Sequence, residues 1–138
     1  MVDIQQQAVT EDLNRLVREV FTEYATSIVG YSGIGEPIAF VATDEDTFVG
    51  MVIVELLWGG LHVKYLYVEE DYRDRGIGSQ LMERAHTFGK QQNCSFAWLE
   101  SMSYWHALEF YQKLGYCLEF TREGYAEGLS LYYLQKKI

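Results

Sequence analysis

The residues best placed to do chemistry in this 138-residue chain are Arg73, Asp74, Arg75, Gly76, Ile77, Gly78 and Ser79. They lie between an apolar run that reads as a strand, Leu61 to Val68, and a periodic run that reads as a helix from Ile77 to about Lys90. A basic, glycine-rich turn that closes a strand and opens a helix is an anion site. The first N–H groups of a helix have no partner within it, and the aligned peptide dipoles put partial positive charge there. Glycine at 76 and 78 lets backbone approach a ligand closely. Two familiar phosphate cradles fail on spacing. A dinucleotide fingerprint needs a third glycine where Leu81 stands, and a P-loop needs Gly-Lys-Ser/Thr, which the chain lacks. Arg-x-x-Gly-x-Gly remains, and on its own it also fits an ordinary helix start.

The elements that must position this turn follow from periodicity. Thr10-Glu11-Asp12 opens a helix with a capping hydroxyl and two acids. Leu13, Leu16, Val17, Val20, Phe21 and Tyr24 give it an apolar stripe. A short strand is expected before it, around Ile4 to Val9. Residues 30–37 hold three glycines and the single proline and read as loop. Strands are expected at Ile38–Thr43, Thr47–Trp58 and Leu61–Val68. Asp44-Glu45-Asp46 and Gly59-Gly60 supply the hairpin turns between them. After the central helix come a strand at Ser95–Glu100, a short helix from Tyr104 to Leu114 closed by Gly115, and strands at Tyr116–Thr121 and Leu129–Gln135. One strand–helix–strand crossover in a hairpin-rich chain predicts an α/β fold. It has a mixed, mostly antiparallel sheet of six or seven strands, with helices on both faces. The basic turn then lies at the carboxyl end of a parallel strand, where open sheets of this kind bind ligands.

Composition narrows the function classes. The length predicts one domain, residues 1–138. Twenty acidic residues face 11 basic ones, for a net charge of −9. That argues against nucleic acid as a partner and suits a cationic one. No apolar run is long enough to span a membrane, and the amino terminus does not read as a signal peptide. Cys94 and Cys117 lack metal-ligand spacing and read as reduced core thiols of a cytoplasmic protein. No metal is expected.

With these elements in order, the chain resembles the GNAT acetyltransferases. Arg73-Asp74-Arg75-Gly76-Ile77-Gly78 fits that family's Arg/Gln-x-x-Gly-x-Gly/Ala turn. Ala107-Leu108-Glu109-Phe110-Tyr111-Gln112-Lys113-Leu114-Gly115-Tyr116 fits its downstream Ala-x-x-Phe-Tyr-x-Lys-x-Gly-Tyr/Phe. The likeness covers about residues 38–138 well and the first helix loosely, and is closest to small bacterial members. It implies acetyl-CoA as cosubstrate, with the pyrophosphate on Arg73–Gly78 and Ser79. The pantetheine arm would lie in a gap where the strand ending at Val68 splays from its parallel neighbour. There it would run along Leu66, Tyr67 and Val68. Such docking is the physics of strand addition.

The resemblance further implies acetyl transfer to a primary amine of a small molecule or peptide, by direct attack in a ternary complex. A backbone N–H, at Leu66, would meet the developing oxyanion. Tyr111 would return a proton to the thiolate, although at helical spacing with Ala107 and Leu114 it also reads as a core aromatic. The base falls at His62, a residue type that titrates near neutrality. Glu55 and Glu100 are rivals, and a water chain is a further alternative. An asparagine common before the second motif is Tyr104 here. Tyr31, Trp58, Tyr104 and Tyr125 are candidate walls for the acceptor. Dimers are common in the family. A non-catalytic acyl-CoA-binding module on the same fold is the competing function, and a purely structural domain a third.

Overall fold

The computed structural model describes all 138 residues, in two units: Met1–Ile34 and Gly35–Ile138. In the first, helix α1 spans Glu11–Val29. Thr10 is its N-cap, and its Oγ1 accepts from the Leu13 N–H at 3.2 Å. Glu11 and Asp12 stand in the first turn, as the sequence predicts, and Gly30 ends the helix in the left-handed region. The strand expected at Ile4–Val9 does not form; residues 1–10 hold no regular structure. Ile4 and Val9 are five apart and would point to opposite faces of a strand, so the segment has no apolar side to bury.

The second unit carries the sheet. Its strands are β1 (Ile38–Asp44), β2 (Thr47–Leu57), β3 (Gly60–Val68), β4 (Phe96–Met102), β5 (Cys117–Arg122) and β6 (Leu131–Lys137), in the order β1-β2-β3-β4-β6-β5. Only β3 and β4 run parallel. The first hairpin turns on Glu45-Asp46 and the second on Trp58-Gly59, all four residues with positive φ. Gly60, expected in the second turn, is instead the first residue of β3.

Between β3 and β4 runs helix α2 (Ile77–Gln91). It buries Leu81, Met82, Ala85, His86 and Gly89. Leu81, Met82 and Ala85, together with Val52, Val54, Leu61, Val63, Ala97, Leu99 and Leu134 from the sheet, form the core. Each large side chain buried there contributes roughly 1.5–3 kcal/mol. Cys94 belongs to this core, but Cys117 does not: it is exposed at the start of β5, an edge strand with little cover.

The last helix, α3, is shorter than the spacing predicts: Leu108–Lys113 rather than Tyr104 onward. Ser103–Trp105 forms a separate 3₁₀ turn, and His106 at φ 52° breaks the continuity. At its far end Gly115 N–H donates to Gln112 O and Tyr116 N–H to Tyr111 O, both at 3.0 Å. This is a Schellman closure, which brings the residue after the glycine back against the last helical turn. Hence the Tyr116 ring meets the Tyr111 ring edge-on, 5.8 Å between centroids.

Tyr116 also fixes a buried histidine. Its hydroxyl lies 2.7 Å from His86 Nε2. Burial, and then the charges of Lys136 and Lys90, pull His86 down from 6.5 to about 4. Between those values the unfolded chain holds a proton that the folded chain does not. Stability therefore rises with pH, is complete above about 6.5, and is lost as pH falls toward 4. We expect His86→Gln, which keeps a hydrogen-bonding group for Tyr116, to flatten the melting temperature against pH between 4 and 6.5. Equal slopes for parent and variant would exclude His86 as the source.

Candidate active site

The parallel ladder between β3 and β4 has only three rungs, Gly60–Phe96, Leu61–Ala97 and His62–Trp98. Beyond them β3 stays paired to β2 and β4 stays paired to β6, so the sheet forks. A bulge accompanies the fork. Ile53 pairs with Tyr65 and Val54 with Val63, leaving Lys64 as an extra residue in β3. An extra residue reverses which side chains face in. Leu61 and Val63 are buried before it; after it Leu66 and Val68 pack on the core, and Tyr65 turns outward.

The fork opens a cleft of about 900 Å³. Val63–Val68 line one wall and Leu99–Met102 the other. Arg73, Asp74, Gly76, Ile77, Gly78 and Ser79 close one end, and Trp105–Ala107, Phe110 and Tyr111 close another side. On the β4 side past His62, the β3 backbone has no strand partner. An extended ligand can pair with such an edge.

The turn at the cleft end has the backbone features an anion would need. Gly76 caps α2 with φ 80° and ψ 5°, a left-handed conformation that costs other residues energy. No side chain caps the first turn, and no acid stands in it. The contrast with α1 is direct: there Thr10 caps one N–H group of the first turn, whereas no side chain does so in α2. A Cβ on Gly76 would meet only the Gln80 amide nitrogen, at 3.9 Å, so the approach to the backbone is open. These features fit a pyrophosphate. Arg73 is tied back through its Nε to Val68 O at 2.8 Å and lies 5.7 Å from the Tyr67 ring, which uses one of its five donors.

Tyr111 is buried at the cleft wall, packed against Phe110 and Tyr116. Burial pushes its phenol up to about 12. His62 does not line the cleft, but its partner does: His62 Nε2 is 2.9 Å from Glu100 Oε2. Glu100 is two residues past Trp98, so the three side chains share a face at the apex of the fork. The His62 ring stacks on Trp98 at 3.8 Å and 4°, which holds its orientation. Glu55 is also off the cleft and lies 3.4 Å from Lys64 Nζ. Arg75 faces away from the cleft, 4.9 Å over the Tyr72 ring.

Thus the fold gathers Leu66, Tyr67, Val68, Arg73, Asp74, Gly76, Ile77, Gly78, Ser79 and Tyr111 around one cleft, and leaves Arg75, His62 and Glu55 outside its lining. Glu100, only a rival to His62 by sequence, lines the cleft, as do Phe110 of the second motif and Trp105 and His106, which no motif marks. Tyr104 is exposed and off the cleft; Trp105 and His106 line it instead. No group of three His, Cys, Asp or Glu is placed to hold a metal ion. No helix is long and apolar enough to cross a membrane.

Comparison with known proteins bears on the same features. A solved acetyltransferase from Bacillus cereus is 26% identical, with a TM-score of 0.77 and 98% of both chains covered. A Bacillus anthracis protein assigned as a streptothricin acetyltransferase, solved with acetyl coenzyme A, has a TM-score of 0.69 at 19% identity, covering 75% of this chain and 64% of its own. A blasticidin-S acetyltransferase of Streptomyces morookaense is 27% identical over 100 residues, 72% of this chain and 73% of that protein. The acetyltransferase (GNAT) domain profile matches residues 35–117, a stretch that runs from before β1 through the fork, the open helix start and the Schellman closure. The chain that folds into this forked sheet is therefore a member of the GNAT acetyltransferase family.

Proposed function

We propose that the protein is an N-acetyltransferase that moves the acetyl group of acetyl-CoA to a primary amine by direct attack in a ternary complex. The observation that carries this reading is the fork. A single cleft joins an unpaired strand edge, an open helix start and a buried phenol that stays protonated at neutral pH. Acetyl-CoA supplies an activated thioester; the chain's residues do the rest. Gly76, Ile77 and Gly78 would hold the pyrophosphate by backbone N–H groups, with Arg73 and Ser79 beside them. The β3 edge at Leu66 and Val68 would align the extended arm, and the Leu66 N–H would meet the carbonyl oxygen. Glu100, braced by His62, would take the amine proton, so that the nitrogen lone pair can attack the carbonyl carbon. Tyr111 would deliver a proton to sulfur as the carbon–sulfur bond breaks and regain one from the nitrogen as it becomes the amide. Glu55, engaged by Lys64, plays no part in this scheme.

The likeness to a blasticidin-S acetyltransferase favours a small molecule over a protein as the first acceptor to test. Titration calorimetry with acetyl-CoA should give saturable one-site binding, and a thiol-release assay over an amine panel should give turnover. Absence of binding at millimolar ligand would sink the reading. Binding without turnover on any amine or protein N-terminus would leave the acyl-CoA-binding module in its place.

A further inference from the structure

A second groove, of about 760 Å³, lies on the other side of the α2 start, between that helix and β1. It shares Tyr72 and Ile77 with the forked cleft, so the two meet at the same turn. Its polar lining is unusual for a chain of net charge −9. Arg75, Gln80 and Arg84 all face it. Neither arginine is in an ion pair. Each guanidinium rests on a ring instead: Arg75 over Tyr72 at 4.9 Å, Arg84 over Phe40 at 5.6 Å. The groove's one acid, Asp44, accepts from the Tyr72 hydroxyl at 2.8 Å. Gln80 and Arg84 are one helical turn apart on one face. The Gln80 amide nitrogen folds back to within 3.9 Å of where a Gly76 Cβ would stand. Arg84 stands about 10 Å along the axis from Ile77, with its guanidinium over the Phe40 ring in the same groove. The donors thus form a row leading away from the helix start.

A ligand with its pyrophosphate on the turn and its acyl arm in the fork must send its nucleotide end out of the turn. We propose that the groove receives this end and that Arg84, with Arg75 and Gln80, binds the ribose 3′-phosphate of coenzyme A. The proposal rests on the acetyl-CoA reading above. It gives Arg75 a place in the nucleotide site although that residue lies outside the forked cleft.

The test compares acetyl-CoA with acetyl-3′-dephospho-CoA by calorimetry on the full chain. A charge-assisted phosphate contact predicts that the parent prefers acetyl-CoA by about 10- to 100-fold, less at high salt. Arg84→Gln should bring that ratio close to one by weakening acetyl-CoA alone; unchanged affinity for the dephospho ligand then also reports an intact fold. Arg84→Lys, which keeps the charge and loses the fork-shaped donor, should retain part of the preference. Equal binding of the two ligands by the parent, or equal weakening of both by Arg84→Gln, overturns the inference and leaves the acetyl-CoA reading standing. Failure of the parent to bind either ligand removes both.

Discussion

Tyr111→Phe is expected to lower kcat by about 10²- to 10⁴-fold, the range for loss of a general acid, with acetyl-CoA affinity unchanged. The substitution removes one oxygen and keeps the ring. The edge contacts to Phe110 and Tyr116 and the Schellman closure should therefore survive. Affinity stays because the proposed binding groups are backbone N–H groups and the β3 edge, none of which Tyr111 supports directly. The rate falls because a thiolate must leave without a proton donor. Burial, which pushes the phenol up to about 12, keeps Tyr111 protonated throughout the neutral range. The parent rate should accordingly show no basic limb from this group below about pH 11. Steady-state thiol release beside calorimetric titration separates the two quantities. A variant as fast as the parent would clear Tyr111 of the role and return it to the core.

Glu100→Gln should cost about 10²-fold or more in kcat near neutral pH. The effect should shrink as pH rises. A primary amine is mostly protonated near pH 7, and the base matters because that proton must go. Toward an alkyl-ammonium pKa of about 10.4 the amine arrives neutral, and the variant should approach the parent. Glutamine preserves the shape of the carboxylate and a bond to His62, so a merely structural role would give a deficit that does not vary with pH. His62→Ala should give a smaller loss with the same pH trend, since it removes the brace on Glu100 and leaves the carboxylate in the cleft. A pH-independent deficit in Glu100→Gln would move the proton to a water path.

Much of the fold was legible because local rules agree with the tertiary outcome. Thr10 and Gly115 mark helix ends by backbone preferences that act over four or five residues. Period-two and period-3.6 apolar patterns found all six strands of the sheet and three helices. Two misreadings have the same physical root. Ile4–Val9 looked extended but offered no face for a neighbour, and a strand without a partner gains nothing. Tyr104 matched the stripe of α3, yet His106 turns left-handed and cuts the helix, a tertiary demand with no local signature.

The bulge at Lys64 lies between these cases. Leu61 and Val63 are buried, and the inward set resumes at Leu66 and Val68, a three-residue step that breaks the alternation. Tyr65 and Tyr67 obscure that step, because aromatic residues read as inward-facing too.

Local sequence is enough for the turn: glycines at 76 and 78 and a helix start with no capping side chain are properties of a few neighbouring residues, and from Arg73 to Gly78 they fit an anion site as well as an ordinary helix start. Together with the second motif they also determined the family. The tertiary structure alone sets how far β3 and β4 stay paired, and therefore that the cleft exists. It also decided that Glu100 reaches that cleft while His62 stands behind it, that Glu55 is held by Lys64, and that Arg75 looks into a second groove with Arg84. These outcomes depend on strands that are distant in sequence diverging or meeting in space. Spacing along one strand fixes which side a residue faces, and what stands opposite is set by where another part of the chain comes to rest.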